Sequence, residues 1–443
     1  MYDPSGKTLL QLIRSWQPAT AMRVAFSGGV DSTVLLHLLA GLRSQLPGPL
    51  SAFHVNHNLH GQSQSWDSHC RAVCEQWGMG YESFNVDARP IPGRSPEDWA
   101  RQLRYASLEN NLALGELLVT AHHQDDQMET MLLQLFRGAG PAGLAGMPAW
   151  RTFGAGAHGR PLLGWSRSEI KRYASEHNLP WVEDHTNADT GFDRNFVRAE
   201  LLPALQSRWS GVGATLSRAA ELQAEASTVL REVAELDLAA CRGASPQRLR
   251  LVELGRLSWP RQANVLRHWL ASLSLPAPAH VHVQEMRLQL LESRPDSAPK
   301  VTWPGAEVRR FADELWAGPP LPARDAREQV PWCLREPCQL VHGQLQARAV
   351  VGAGMRRSAL SDDLVEVRFR SGGEAILPMG DRHHRLLKKL LQQANIPPWM
   401  RARLPLLFLG DHLVAVADLW LDAGVAAAAS EPGWEIIWRD NAA

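Results

Sequence analysis

Lysine is scarce in this 443-residue chain. There are five, Lys7, Lys171, Lys300, Lys388 and Lys389, so the basic residues are strongly skewed to arginine. No run of about 18 uncharged apolar residues occurs, which argues against a helical membrane span. The first residues, MYDPSGKTLLQLIRSW, lack a basic region followed by an apolar core and do not read as a signal peptide. The five cysteines (Cys70, Cys74, Cys241, Cys333, Cys338) are odd in number and scattered. They supply no disulfide framework and suit reduced thiols in a cytoplasmic protein. Formal net charge is zero, so only local basic clusters can speak for or against a nucleic-acid partner.

What is present is a large apolar fraction, 45%, with 21% charged residues, enough to build two or three domains. The first 180 or so residues alternate strand and helix: apolar runs at 22–26, 50–55, 81–86 and 116–121 are followed by helical stretches at 32–42, 65–78, 95–115 and 125–138. In the third of these helices Ser95 is placed to cap and Pro96 to open the first turn. This alternation predicts an α/β fold with a doubly wound parallel sheet and a ligand crevice at the carboxyl ends of its strands. Residues 204–318 have helical periodicity and good helix formers, residues 319–365 read as an irregular linker, and residues 366–443 as a small α+β unit. The domains expected are therefore 1–203, 204–318 and 366–443.

The first strand runs into Ser27-Gly28-Gly29-Val30-Asp31-Ser32 and then a helix. Backbone N–H groups at a helix start are unpaired and partly positive, and glycines let them approach an anion. Without a lysine this is not a mononucleotide P-loop. Asp31 would repel phosphate unless a cation lies between them, and Mg²⁺ shared between its carboxylate and phosphate oxygens removes the conflict. The competing reading, a plain N-cap turn, accounts for one Asp or Ser but less well for the whole string.

SGGVDS resembles the PP-loop of the N-type ATP pyrophosphatases, in which the turn grips the pyrophosphate of ATP. The string identifies the superfamily and not the member. Four further stretches narrow it: HVNHNLHG at 54–61, ARQLRY at 100–105, AHHQDDQMET at 121–130 and EDHTNADTGFDRNFVR at 183–198. Asp125 and Glu129, four apart, share a helix face with Asp126 beside them; Arg194 and Arg198 share another. Each stretch alone also reads as a capping loop or a solvated face. Their order and spacing together resemble the tRNA(Ile)-lysidine synthetase family, and the segment 381–411 resembles that family's C-terminal tRNA-recognition domain. From 382 to 403 this segment holds Arg382, Arg385, Lys388, Lys389, Arg401 and Arg403 and no acid. Leu386, Leu387, Leu390 and Leu391 there read as the apolar stripe of a basic helix over 382–395.

The resemblance implies ATP-dependent joining of free L-lysine to C2 of the first anticodon cytidine of an isoleucine tRNA with anticodon CAU, through an adenylated tRNA. It assigns ATP binding to Ser27, Gly28, Gly29, Val30, Asp31 and Ser32, with Mg²⁺ at Asp31. Catalytic roles fall to Asp31, Arg104, Asp126 and Arg198, with Asp125, Asp126 and Glu129 as candidates for lysine or metal. The tRNA-binding residues are Arg194, Arg385, Lys388, Lys389, Arg401 and Arg403. His60 stands where relatives often carry a basic residue. A homodimer is compatible with the sequence. Two alternatives stay open: another PP-loop tRNA-modifying enzyme such as a thiolase, to which Cys70 and Cys74 would have to contribute, and a tRNA-binding protein without activity.

Overall fold

The computed structural model describes residues 6–16, 19–56, 63–87, 89, 96–183, 191–292, 299–321 and 328–440. Residues 57–62, His60 among them, Ser95 with its capping role, and the Asx-rich stretch 184–190 lie outside them. The chain divides into two compact units, Met1–Val229 and Leu230–Ala443.

The first unit is built on six strands: β1 (Met22–Ala25), β2 (Leu50–Asn56), β3 (Gly80–Asn85), β4 (Leu117–Val119), β5 (Trp150–Phe153) and β6 (Gly156–Gly159). Their order is β3-β2-β1-β4-β6-β5. All neighbours pair in parallel except β5 with β6. The helices are α1 (Gly6–Ser15), α2 (Val30–Leu42), α3 (Ser63–Gln76), α4 (Pro96–Asn110), α5 (Gln124–Phe136), α6 (Pro141–Leu144) and α7 (Arg167–Glu176). Beyond them come α8 (Asp193–Phe196), a π turn at Val197–Leu201, α9 (Leu202–Arg208) and the first part of the 30-residue α10 (Val212–Cys241), whose residues from Leu230 on belong to the second unit. The four expected strand–helix pairs are all present. The β5–β6 hairpin and α7 are additions that the alternation did not announce.

β1 is flanked by β2 on one side and β4 on the other, so the strand order reverses there. That places the ligand crevice at the carboxyl ends of β1 and β4. Met22, Val24 and Phe26 alternate into the core against Val34, Leu35 and Leu39 of α2, all fully buried or nearly so. This packing fixes the start of α2 directly above the end of β1. A smaller cluster, Met128 and Leu132 of α5 with Val197 and Leu202, fastens the 193–208 helices to α5.

The second unit contains α11 (Leu251–Gly255), α12 (Trp259–Ser272) and α13 (His280–Glu285). Its helical first part also carries an antiparallel sheet, in the order β7-β10-β9-β8, of β7 (Arg248–Arg250), β8 (Lys300–Trp303), β9 (Ala306–Phe311) and β10 (Glu314–Gly318). Apolar residues of these strands, Val301, Trp303, Val308 and Leu315, pack on Leu266, Trp269 and Leu270 of α12.

The expected linker over 319–365 is corrected. It contains β11 (Gln329–Cys333), β12 (Cys338–Leu340), β13 (Gly343–Val351) and β14 (Met355–Arg356), and β15 (Leu364–Arg368) begins at its end. These pair with β18 (Leu406–Leu409), β19 (His412–Val416), β20 (Trp420–Leu421) and β21 (Pro432–Asp440) in two antiparallel sheets, β11-β15-β18-β19-β20 and β12-β13-β21-β14. The pairing is non-local: β13 finds its nine-residue register on β21. The proline-rich punctuation therefore did not mark an absence of strands. A short ribbon of β16 (Ala375–Ile376) and β17 (Arg385–Leu386) precedes α14 (Leu387–Gln393) and α15 (Pro398–Arg401).

Candidate active site

The turn after β1 is held open by its own hydroxyls. Ser27 Oγ lies 3.1 Å from Ser32 Oγ, which donates to the Gly29 carbonyl at 3.0 Å. Thr33 Oγ1 donates to the same carbonyl at 2.9 Å. Gly28 has φ +80°, a left-handed conformation that side chains disfavour, and a Cβ built there would stand 2.9 Å from Cys70 Sγ. The Gly28 carbonyl is taken by the Val182 N–H at 3.0 Å, which ties the turn to the segment after α7. Gly29 caps α2, so the free N–H groups of its first turn face the crevice.

Asp31 sits in that first turn. Its Oδ2 lies 3.8 Å from His123 Nε2, and Oδ1 is buried with no hydrogen-bond partner among the described residues, although a third of the side chain is exposed. Burial pushes the Asp31 carboxyl up. His123 draws it down, Asp126 pushes it up again, and Arg167 and Arg198 oppose that. A carboxylate that is desolvated yet unbonded is a group prepared for a cation.

His123 caps α5, and its backbone N–H donates to Asp126 Oδ2 at 3.0 Å. Asp126 and Glu129 do not stand free, as the sequence had suggested. Glu129, fully buried, accepts from Arg194 Nε at 2.8 Å and from Arg198 Nε at 2.6 Å and Nη2 at 2.9 Å. Asp126 Oδ1 meets Arg194 Nη2 at 3.4 Å and Arg198 Nη2 at 3.2 Å. Burial opposes ionisation of Asp126, but His123, His122, Arg194 and the His123 N–H outweigh it and hold the carboxyl below the usual range. Both carboxylates are thus counter-charges that fix two arginines. The expected lysine or metal role of Glu129 is corrected, because guanidiniums take both of its oxygens in the core. Arg194 and Arg198 are anchored alike by the two carboxylates, and each keeps part of its side chain exposed, 20% and 27%. Asp125 differs: half-buried, its Oδ1 accepts from the Arg167 backbone N–H at 3.3 Å.

On α4 the Arg101 and Arg104 guanidiniums lie 5.1 and 5.8 Å from the centre of the Tyr105 ring. Tyr105 Oη is 3.4 Å from His122 Nε2, at the end of β4. Arg104 therefore belongs to the β4 side of the crevice. Sequence reasoning missed His123 as the bridge between Asp31 and Asp126, although it lies within AHHQDDQMET. It missed Arg167 and Val182 as well, which no local pattern marks, because each reaches the site from an element distant in sequence.

In the second unit, the basic helix proves shorter than expected, Leu387–Gln393, and Leu386 precedes it half-exposed. Leu387, Leu390 and Leu391 are buried, and Lys388 and Lys389 are exposed on the opposite face. Arg385 pairs with Asp381 at 3.4 Å. Arg401 Nε donates to the Ile396 carbonyl at 2.6 Å. Arg403 is 5% exposed and turns toward Asp440, so its expected place on a tRNA-facing surface is corrected. Burial lowers both Arg401 and Arg403 from the ordinary guanidinium value.

Family models match three parts of the chain: a PP-loop domain over 1–205, a TilS substrate binding domain over 249–316 and a TilS substrate C-terminal domain over 365–438. A tRNA(Ile)-lysidine synthase of Alkalilimnicola ehrlichii is 41% identical over 99% of this chain and 97% of its own length. Those of Pseudomonas aeruginosa, 41% identical over 98% and 97%, and Methylococcus capsulatus, 39% over 95% and 97%, match as fully. The chain belongs to the tRNA(Ile)-lysidine synthase family. As a member it is a carbon–nitrogen ligase on an ATP-using PP-loop domain, and its substrate is a tRNA. Membership removes the thiolase and non-catalytic alternatives. Cys70 and Cys74 agree: burial pushes both thiols up to about 12, the state of packing residues and not of nucleophiles. Among the described residues no helix is long and apolar enough to cross a membrane.

Proposed function

We propose that this lysidine synthase family member joins free L-lysine to C2 of the first anticodon cytidine in an isoleucine tRNA with anticodon CAU. The observation that supports this most is the meeting, at one strand-order reversal, of the open PP-loop turn and the Asp31–His123–Asp126 contact. In the first step the C2 oxygen of cytosine attacks the α-phosphorus of ATP, and the bond to pyrophosphate breaks. In the second the lysine ε-amine attacks C2, the C2–O bond breaks and AMP leaves. The exocyclic O2 leaves poorly by itself, and adenylation turns it into a good leaving group.

Ser27 through Ser32 hold the ATP phosphates with helix-start N–H groups and hydroxyls. The unpartnered Oδ1 of Asp31 fits Mg²⁺. Among the described residues no cluster of three or more His, Cys, Asp or Glu could hold a metal ion by itself, so phosphate oxygens would have to complete the shell of an ion at Asp31. When bound, the ion supplies the positive charge that a lysine gives in other phosphate loops. Arg198, fixed by Glu129 and Asp126, faces charge developing on phosphate, and Arg104 steadies phosphate or RNA from α4. Asp125, with acceptor capacity left over, takes the lysine ammonium and its proton. Lys388 and Lys389 grip the tRNA backbone. The test is incubation with ATP and labelled lysine against isoleucine and methionine tRNA transcripts, both with CAU. Label should enter only the isoleucine transcript; label in neither, or in both equally, overturns the assignment.

A further inference from the structure

Consecutive residues of an extended chain point to opposite sides. At the end of β4 this sends His123 toward Asp31, and Thr120 and His122 the other way, toward β6. There they meet His158 and Arg160. Arg160 Nη1 donates to the Pro148 carbonyl at 2.7 Å, and its Nη2 lies 3.2 Å from His158 Nδ1. A guanidinium only donates, so His158 Nδ1 accepts and the ring carries its proton on Nε2. That N–H donates to Thr120 Oγ1 at 2.8 Å. The Thr120 hydroxyl hydrogen then goes to His122 Nδ1, 2.7 Å away. His122 is left with its proton on Nε2, directed to the side of the crevice where Tyr105, Arg101 and Arg104 stand. Thr120, His158 and Arg160 are buried, and His122 and Tyr105 are half-buried, so the chain of hydrogen bonds begins in the core and ends at the crevice.

We propose that this relay holds His122 as a neutral Nε2–H donor, and that the donor reads the acceptor edge of the pyrimidine being modified. The inference rests on the function proposed above. The arginines beside His122 also offer donors alone. Cytosine presents two acceptors, O2 and N3, along the edge that must be adenylated, and uracil carries a hydrogen on N3. A wall of donors admits the first and leaves a donor–donor clash with the second. Burial, helped by Arg160, Arg101 and Arg104 and opposed by Asp126, keeps His122 well below the ordinary imidazole value, in agreement with the neutral ring. Thr120, His158 and Arg160 are positioning residues: they act through His122 alone.

The test uses the full chain with ¹⁵N-labelled histidine, His122 being identified by its loss in His122→Gln. Long-range ¹⁵N–¹H spectra should show the His122 proton on Nε2 in the wild type and a tautomer mixture in Thr120→Val. Equilibrium binding of isoleucine tRNA transcripts with C or U at the first anticodon position should favour C in the wild type. Thr120→Val should lose about tenfold of that preference, the worth of one hydrogen bond, with KM for ATP and lysine unchanged. Thr120→Ser should restore both readouts. A proton on Nδ1 in the wild type, or an undiminished preference for C in Thr120→Val, overturns the proposal. So does an equal loss for C and U accompanied by a flatter salt dependence, which marks a phosphate contact. Failure of the wild type to incorporate lysine would instead count against the function proposed above, because tautomer and base preference are read without turnover.

Discussion

Glu129 shows how a buried charge is kept. Its two oxygens take three donors from Arg194 and Arg198, and Asp126 takes a share of the same guanidiniums. Breaking such a cluster from one side leaves the opposite charges buried without partners, which costs roughly 3–5 kcal/mol. Glu129→Ala should therefore lower unfolding stability in urea by about that amount, and its adenylation rate should fall as well. A stability loss under about 1 kcal/mol would show that the arginines find other partners.

Asp31 should behave in the opposite way. Its folded-state pKa is raised, so ionising it costs folding free energy. The cost is absent below the carboxyl's unfolded value and complete once the pH exceeds the folded one. Asp31→Asn should accordingly melt at the same or a higher temperature near neutral pH without ligands. It should also stop pyrophosphate release while tRNA binding stays nearly intact. An unstable variant, or one that forms adenylate at the normal rate, would refute the reading of Asp31 as a functional group carried at a structural cost.

At the scale of the element, the turn between β1 and α2 depends on one backbone conformation. Gly28→Ala puts a methyl group on a left-handed residue and into Cys70 Sγ. The left-handed conformation alone costs about 1–2 kcal/mol. Thermal unfolding should record at least this loss, and the variant should bind ATP poorly. Adding Cys70→Ala removes the clash and leaves the strained φ, so it should recover only part of the stability. Full recovery would assign the whole effect to packing.

At the scale of the molecule, zero net charge means that tRNA affinity must come from local clusters. Among the sequence candidates at 385–403, Lys388 and Lys389 are the exposed ones, since Arg385, Arg401 and Arg403 are engaged or buried. Replacing both lysines by alanine should weaken tRNA binding and flatten its dependence on log salt by roughly 0.7–0.9 for each phosphate that is no longer neutralised. An unchanged slope would remove this face from the interface.

The legibility of the chain followed the range of the interactions. Strand–helix alternation, SGGVDS and the position of Asp31 at a helix start are local, and a local pattern is written in consecutive residues. They fixed the parallel sheet, the crevice and the kind of chemistry. The strands over 329–356 were missed because their partners lie up to 97 residues away, as between Gly343 and Asp440. The carboxylates of DDQMET read as free because the arginines that bind them arrive 65 to 72 residues later. Side-chain periodicity placed Lys388 and Lys389 outside correctly, while Arg403 turned inward for reasons that only its neighbours supply. The sequence by itself determined that an ATP-using PP-loop turn stands at the start of α2 on this fold. The tertiary structure alone decided which charges there are spent on one another and which are left for substrate, because pairing between distant residues depends on where the packed core delivers them.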